Sequence, residues 1–194
     1  MANDHAFFAL IARMRYIDRW ALMRNTDPEN IQEHSHMVAV LAHALAVIHN
    51  HYFDGKVDPG QVALAALYHD ATEIITGDMP TPIKYYNSTL RASYREVEDM
   101  AAHRLLHMLP EELRGEYAAL LQPEDPEVEA LVKAADKLSA YLKCVEELKA
   151  GNNEFKLAKE QTYAALTKNP LPALQYFIIH YLPSFQLTLD ELQG

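Results

Sequence analysis

The chain has 194 residues, of which 49% are hydrophobic and only six are glycine, so it can bury a substantial core and does not have the composition of a disordered protein. Its formal net charge of −10 disfavours binding to the backbone of a nucleic-acid polymer or to an anionic membrane surface. The single cysteine, Cys144, excludes an intramolecular disulfide and is typical of a reducing compartment, so we expect a cytoplasmic protein.

The first twenty residues do not resemble a signal peptide, because charged side chains interrupt their apolar positions. We expect a short helix over residues 4–16 instead. No stretch of the chain reaches the roughly 20 apolar residues that a membrane span requires. The length leaves little room for two independent cores, so we expect one domain over residues 1–194.

Start signals of one kind predict three long helices. Each is an aspartate, which can cap a helix, followed by proline at the first helical position. The three pairs are Asp27-Pro28, Asp58-Pro59 and Asp125-Pro126. After the first pair, apolar residues recur at steps of three and four from Ile31 to Ile48, which is helical spacing.

The other two long helices also have predicted ends. The second is expected to run from Pro59 to about Thr76 and to end at Gly77; because it is nearly apolar throughout, we expect it to be central. The third is expected to run from Pro126 to Ala150 and to stop at Gly151. Shorter helices are predicted over 88–108, 111–121, 153–168 and 172–181, and no alternating strand pattern is present, so the predicted class is all-α.

Three polar residues follow one another near the end of the second predicted helix. His69 and Asp70 are adjacent, and Glu73 lies three and four residues beyond them, which places all three on one helix face. The preceding residues are apolar, and burying such groups without partners would cost several kcal/mol. They must therefore bind a ligand or accept hydrogen bonds.

His34 and Asp136 are the other candidate ligands, since they also stand within mostly apolar helices. Together with His69 and Asp70 they would make a site of two histidines and two aspartates, which suits a borderline divalent ion and leaves positions open for water and substrate. A His-Asp pair alone is more often a core histidine bonded to a carboxylate. The ordered occurrence of His, His-Asp and Asp on separate helices favours the metal interpretation, and this order is the signature of the HD superfamily.

The resemblance to one HD family is more specific. The chain resembles the bacterial HD-domain 5′-deoxynucleotidases over nearly its whole length, with an Arg-Trp pair, a Glu-His-Ser segment, a His-Asp-x-x-Glu sequence and a Gly-Asp-x-Pro-Thr loop in the same order. The runs that carry this are RYIDRWALMRNTDPENIQEHSHMVAVLAHALA, YHDATEIITGDMPTPIKYYNS and AADKLSAYLKCVEELKAGNNEF. The resemblance implies a single HD-domain helical bundle.

The resemblance also implies roles for individual residues. The metal ligands would be His34, His69, Asp70 and Asp136, with Glu73 acting on the attacking water and Arg19 orienting the phosphate. His34 and Asp70 would also touch the substrate. The sugar would be bounded by Trp20 and by the loop Asp78, Met79, Pro80 and Thr81.

Structural alternatives stay open for three of these residues. Without the resemblance, Arg19 beside Trp20 is better read as a surface cation on a core indole. Thr81 can be the N-cap of a helix that starts at Pro82, and Asp78 can simply cap the loop.

The resemblance implies hydrolysis of deoxyribonucleoside 5′-monophosphates, a divalent cofactor such as Co²⁺ or Mn²⁺, and a homodimer. The alternatives are an HD-type phosphodiesterase or alarmone hydrolase, which would often recruit a second metal through extra histidines, and a non-catalytic helical interaction module. Six aromatic residues were candidates for an interface, although most suit a core equally well. They are Tyr85, Tyr86, Tyr94, Phe155, Tyr176 and Phe177.

Overall fold

A computed structural model describes residues 5–84 and 86–194, apart from the side chains of Thr81 and Pro82. The described residues form helices and no strand, with one isolated bridge between Asp18 and Asn30, which confirms the all-α class. The α-helices are α1 (Phe7–Ile11), α2 (Ile31–Tyr52), α3 (Pro59–Tyr68), α4 (Glu73–Thr76), α5 (Thr81–Lys84), α6 (Ser88–Leu106), α7 (Glu111–Leu121), α8 (Pro126–Lys149), α9 (Lys156–Lys168), α10 (Pro172–His180) and α11 (Leu189–Gln193). Three short 3₁₀ helices cover Met14–Tyr16, Asn153–Phe155 and Leu182–Gln186.

The first long helix begins later than its sequence signal predicted. Helix α2 starts at Ile31, not at Pro28, because the side chain of Asn30 accepts a hydrogen bond from the amide of Glu33 while the Glu33 carboxylate accepts one from the amide of Asn30. This reciprocal pair satisfies two amides at the helix start and outcompetes the aspartate-proline signal. The Asp27-Pro28 pair consequently lies in the loop before the helix.

The second long helix was wrongly predicted to be continuous. Helix α3 ends at Tyr68, and a tight turn separates it from α4. The ring Nδ1 of His69 lies 2.7 Å from the carbonyl oxygen of Ala66, the acceptor that the amide of residue 70 would use in a continuing helix. The predicted stop at Gly77 is confirmed, with a φ of +73° that favours glycine.

Helix α3 is also not central, contrary to prediction. It buries Val62, Ala65 and Ala66 but leaves Leu64 41% and Leu67 39% exposed. It packs against α2, α7 and α8, and the side that carries Leu64 and Leu67 lies at the surface, so an almost wholly apolar sequence did not imply burial on all sides.

The remaining long helix agrees closely with its signals. The carboxylate of Asp125 accepts a hydrogen bond from the amide of Glu127, α8 runs from Pro126 to Lys149, and Gly151 follows with a φ of +86°. The shorter predicted helices are present with small shifts at their ends, while the segment 4–16 divides into α1 and a 3₁₀ turn. Helix α5 corresponds to the alternative of a helix starting at Pro82, although it begins one residue earlier, at Thr81; helix α11 was not predicted.

The described core consists of two hydrophobic clusters that meet near α2. The larger is built from α2, α3, α8 and α10 and includes the fully buried Leu45 and Leu138. The smaller joins α1 to α6 and α7 and includes Phe7 and Leu105. Ile31 belongs to the smaller cluster while α2 from Val38 onward belongs to the larger, so the helix turn that carries His34 lies at their boundary. The predicted domain extent, 1–194, stays a prediction.

Three of the six aromatic residues considered for an interface are core residues. Tyr94, Phe155 and Phe177 are buried, Tyr176 is half-buried, and Tyr86 is 79% exposed; Tyr85 lies outside the described residues. Cys144 is fully buried on α8, and burial raises the pKa of its thiol to about 11. Among the described residues, no helix is both long and apolar enough to cross a membrane.

Candidate metal centre and substrate pocket

The four residues predicted as metal ligands come together from three helical segments. His34 lies one turn into α2, His69 and Asp70 lie in the break after α3, and Asp136 lies on α8. His34 Nε2 is 3.1 Å from Asp136 Oδ1 and 3.6 Å from Asp70 Oδ2. One donor atom each of His34, His69 and Asp136 lies within 4.8 Å of the others. Asp70 stands beside this group, 3.2 Å from His69 Nε2.

The hydrogen bonding of the two imidazoles differs, and only His69 keeps its Nε2 free to accept. The Nδ1 of His69 donates to the carbonyl of Ala66, so the lone pair of that ring is assigned to Nε2. His69 Nε2 is buried and makes no hydrogen bond with the described residues. The Nδ1 of His34 lies 3.3 Å from the hydroxyl of Ser139, which is 2% exposed. A buried, unbonded ring nitrogen beside carboxylates is the arrangement that a divalent cation fits.

Both aspartates of the cluster are held in the ionised form. Burial alone would raise the pKa of Asp70, but the interactions of its carboxylate with His69 and His34 lower the pKa to about 2. Burial likewise opposes ionisation of Asp136, and the hydrogen bond from His34 outweighs it and lowers the pKa of Asp136. The cluster therefore offers two anionic ligands at neutral pH.

Arg19 brings a positive charge to the edge of this cluster. Its side chain is 11% exposed, with Nη1 3.2 Å from Asp70 Oδ2 and Nε 3.1 Å from Glu29 Oε2. Burial would lower the pKa of Arg19, but the surrounding carboxylates of Asp70, Asp136 and Glu29 raise it, so the guanidinium stays charged.

Glu29 is a site residue that sequence reasoning missed. Besides binding Arg19, its Oε1 lies 3.9 Å from His34 Nδ1, and its carbonyl accepts a hydrogen bond from the amide of Arg19. It therefore orients a predicted ligand and the predicted phosphate residue together. Its only sequence signal was its place inside the RNTDPENIQEH run.

Glu73 lies in the same pocket, although the continuous helix used to place it does not exist. It is the first residue of α4 and is 6% exposed, and its Oε2 is buried without a hydrogen bond to the described residues. Burial, reinforced by the negative charges of Asp70 and Asp78, raises its pKa to about 10. The side chain thus has a high proton affinity and a free oxygen.

A cavity of about 690 Å³ opens from the cluster. Its walls include most of the residues predicted to touch substrate, and the side chain of Thr81, at the start of α5, lies outside the described residues. The predicted residues in the wall are Arg19, Trp20, Asp70, Glu73, Asp78, Met79, Pro80 and Asp136.

The cavity also has lining residues that were not predicted. Lys84 is one of them; it is half-buried and its Nζ donates a hydrogen bond to the carboxylate of Glu98 at 2.8 Å. Residues of α8 and α9 close the far side; their helical spacing gave no signal of function. They are Lys137, Ala140, Ala158, Gln161, Thr162 and Ala165.

Trp20 is held in an unusual conformation at the cavity wall. Its φ of +57° is rare for a bulky residue, so the surroundings must hold it there. The indole packs on Phe155 with ring centroids 5.4 Å apart, and its Nε1 is buried without a hydrogen-bond partner among the described residues. Trp20 therefore belongs to the cavity wall and to the core at once.

Two further histidines of α2 lie outside the cluster. His36, two residues beyond His34 on α2, is exposed while His34 is buried. His49 is bound to Glu127 at 2.8 Å.

Sequence comparison identifies the family. A model of the family described as YfbR-like 5′-deoxynucleotidases matches residues 6–185. The 5′-deoxynucleotidase of Vibrio parahaemolyticus is 49% identical over 194 residues, which cover 99% of this chain and 100% of the relative. That of Erwinia tasmaniensis is 50% identical over 99% of this chain and 98% of the relative.

Solved structures with low sequence identity share the fold. An HD-domain phosphohydrolase from Listeria innocua superposes with a TM-score of 0.80 at 22% identity, covering 97% of this chain and 92% of that one. The cyanophage S-2L HD phosphohydrolase DatZ, bound to dA and one catalytic Zn²⁺ ion, superposes with a TM-score of 0.63 at 23% identity, over 93% and 96%. The predicted HD fold and enzyme class are confirmed, and the chain belongs to the YfbR-like family of 5′-deoxynucleotidases.

Proposed function

We propose that the protein hydrolyses deoxyribonucleoside 5′-monophosphates to deoxynucleoside and phosphate, with one divalent metal ion held by His34, His69, Asp70 and Asp136. The observation that carries the proposal is the buried His69 Nε2, which has no hydrogen bond among the described residues and lies beside two ionised carboxylates at the end of a nucleotide-sized cavity. A divalent ion bound there would act as a Lewis acid on the phosphate and lower the pKa of a water.

Arg19 is proposed to orient the phosphate. Its guanidinium is charged, nearly buried and part of the cavity wall beside Asp70. Planar guanidinium groups bind phosphate oxygens in pairs. Glu29 holds the Nε side of this group, which leaves the other end directed toward the cluster.

Glu73 is proposed to take the proton of the attacking water at Oε2. That oxygen is buried and free of hydrogen bonds to the described residues, and burial together with the neighbouring carboxylates gives it a high proton affinity. The positive charge of a divalent ion at the cluster would lower the pKa of Glu73 and favour the ionised carboxylate, which is the form that can act as a base. The proton can later pass to the leaving 5′-oxygen of the deoxynucleoside.

The deoxyribose is proposed to lie between Trp20 and the loop from Asp78 to Thr81. Both Trp20 and Asp78 line the cavity close to the cluster. A rigid indole against C2′ leaves no room for a hydroxyl and offers it no acceptor. The base would then extend toward the far wall, where Ala140, Ala158 and Ala165 leave space.

Three finer properties complete the proposal: a Co²⁺ or Mn²⁺ cofactor, a cytoplasmic location and a homodimer. Two nitrogen and two oxygen ligands suit borderline divalent ions. Cytoplasm follows from the lone, buried Cys144. For the dimer, exposed apolar side chains are available on the packed pair α2 and α3. They are Met37, Val40, Val47, Leu64 and Leu67.

The alternative of an HD phosphodiesterase or alarmone hydrolase is less well supported. Among residues 5–84 and 86–194, only one group of side chains is placed to bind a metal ion, and it consists of His34, His69 and Asp136. His36, the nearest further histidine on α2, is exposed and does not join it. A one-metal phosphomonoesterase is therefore favoured.

The test is an assay of the full chain after chelation and reloading with Mn²⁺, Co²⁺ or Zn²⁺. We expect phosphate release from dAMP and dCMP, much less from AMP, and none from cyclic AMP or a pyrophosphorylated nucleotide. Asp136→Asn, which alters a proposed metal ligand, is the inactive control. Turnover of the cyclic or pyrophosphorylated substrates in preference to dAMP would overturn the proposal. A protein that binds no metal and releases no phosphate would instead be an interaction module. Light scattering measures the oligomeric state.

A further inference from the structure

One wall of the substrate cavity is a segment without regular secondary structure, residues 20–27, called here the Trp20 loop. It contributes Trp20, Leu22 and Met23 to the cavity. A single buried carboxylate binds the far end of this loop to the helices. The Glu147 side chain accepts hydrogen bonds from the amides of Thr26, at 2.9 Å, and Asp27, at 3.1 Å.

The same carboxylate is the centre of a closed network. Glu147 is 1% exposed and accepts further hydrogen bonds from Lys143 Nζ at 2.5 Å and from Asn152 Nδ2 at 2.7 Å. These two donors also reach the loop: Lys143 bonds the carbonyl of Asp27, and Asn152 bonds the carbonyl of Arg24 at 2.7 Å. Every hydrogen bond in this set either binds the loop or orients a group that does.

The network keeps Glu147 charged. Burial alone would raise its pKa, but the hydrogen bonds from Lys143, Asn152 and the loop amides lower it to about 2. A buried ion pair is weak evidence for stability, because apolar residues of similar volume are often as good. The position of this ion pair under the Trp20 loop therefore indicates a role other than stabilising the fold.

Helix α8 connects this network with the metal cluster. Asp136 and Glu147 are eleven residues apart on the same helix, about 16 Å along its axis. Lys143 Nζ lies 5.7 Å from the centre of the Phe155 ring, on which the Trp20 indole packs. The positive φ of Trp20 requires such support, since the left-handed conformation is unfavourable for a residue with a bulky side chain.

We propose that Glu147 is a positioning residue for sugar discrimination: it docks the Trp20 loop on α8 and so holds the indole at the wall of the cavity. The inference rests on the proposed role of Trp20 against the deoxyribose. Glu147 itself does not line the cavity, so any effect on substrate must pass through the loop.

Trp20 is the only tryptophan of the chain, so its fluorescence reports the loop directly. The test compares metal-loaded wild type with Glu147→Gln, which keeps the shape but replaces one acceptor with a donor facing Lys143 and Asn152. Glu146→Gln, on the exposed side of the same helix turn, is the matched control. For Glu147→Gln we expect red-shifted emission, stronger quenching by acrylamide, and a fall of at least about tenfold in the ratio of kcat/KM for dAMP over AMP. Bound metal and helical content should stay unchanged, and Glu146→Gln should match wild type.

The outcomes separate this inference from the function on which it rests. If Trp20→Ala keeps the wild-type ratio, the sugar-wall assignment fails and the role of Glu147 fails with it. If Trp20→Ala loses the ratio while Glu147→Gln keeps it, with or without a change in emission, only the role of Glu147 is overturned. Should Glu147→Gln not fold, Asn152→Ala, which leaves the Lys143 pair in place, must show the same two changes at smaller size; wild-type emission and ratio in that variant would overturn the inference.

Discussion

The imidazole of His69 donates through Nδ1 to the carbonyl oxygen of Ala66 at 2.7 Å, and this bond directs the buried Nε2 toward the carboxylate of Asp70. Replacing His69 with alanine should therefore remove bound metal and activity together. We expect activity to fall by more than about 100-fold, because even outer-sphere changes at metal sites cost 10–100-fold. Helical content should be kept, since His69 stands where α3 ends. Metal analysis measures the bound metal, circular dichroism the helical content, and phosphate release the activity, with His36→Ala as the control. Full activity of His69→Ala after chelation and reloading would contradict the metal assignment.

The free oxygen of Glu73 predicts a different phenotype. Glu73→Ala should keep the metal and bind dAMP, yet lose at least about 10²-fold in kcat, the usual effect of removing a general base. Equilibrium binding, metal content and single-turnover kinetics distinguish the steps. A variant that loses its metal would show that Glu73 is a ligand, and the proposed roles would have to be reassigned.

Trp20 predicts the discrimination between deoxyribose and ribose. Trp20→Ala should open the wall and lower the ratio of kcat/KM for dAMP over AMP by at least about tenfold, because steric exclusion of one hydroxyl disappears. Absolute rates are expected to fall as well, since Arg19 is its neighbour. Both substrates are measured with the same metal, and Trp20→Phe serves as the conservative control. An unchanged ratio in a folded, metal-loaded Trp20→Ala would assign discrimination to another residue.

The close packing around Gly55 predicts that a substitution there lowers stability, although Gly55 does not belong to the metal cluster. A Cβ built on Gly55 would lie 2.2 Å from Cδ2 of His49, whose ring is packed against it and bound to Glu127. Gly55→Ala should lower the free energy of unfolding by about 1–3 kcal/mol, the typical result of overpacking. Gly115→Ala is the matched control: it lies within α7 with nothing within 4 Å of the added atom, and it should stabilise by about 0.5–1 kcal/mol. Equal effects in urea unfolding would contradict the close packing.

The low pKa of Glu147 predicts how the free energy of unfolding falls at acid pH. Its folded pKa of about 2 is below the ordinary glutamate value of 4.5, so its contribution to stability is fully present above about pH 4.5 and is lost as the pH falls toward 2. The loss attributable to this group is at most about 3 kcal/mol. Urea unfolding at a series of pH values, compared with Glu147→Gln, measures it. The variant should show a shallower decline between pH 4.5 and 2, and identical slopes would mean that the carboxylate is not specifically stabilised.

Local signals predicted the elements well where a single cap decided them. The Asp125-Pro126 start and the Gly151 stop bound α8 closely, because both act within one helix turn. The start of α2 was wrong because two capping signals compete and the pair of Asn30 and Glu33 forms more bonds. The break after α3 was missed because a side chain, His69, occupies a backbone acceptor, which spacing alone does not reveal.

The candidate ligands could be predicted because their order along the chain carries the family signature. The residues that orient them left no comparable pattern. Glu29 meets Arg19 across a loop, Ser139 meets His34 across 105 positions, and Glu147 meets Thr26 across 121. The first contact depends on the path of the loop before α2, and the other two on the packing of α8 against α2 and that loop, so all three follow from the fold and not from local sequence.

The position of Cys144 supplies a native probe of breathing motions. Its thiol is fully buried on the helix that carries both Asp136 and Glu147, and burial raises its pKa to about 11, so an alkylating reagent can reach the thiolate only when α8 separates from its neighbours. The rate of modification therefore measures how often α8, which carries both Asp136 and Glu147, separates from its neighbours. No engineered label is required, because the chain contains this one cysteine.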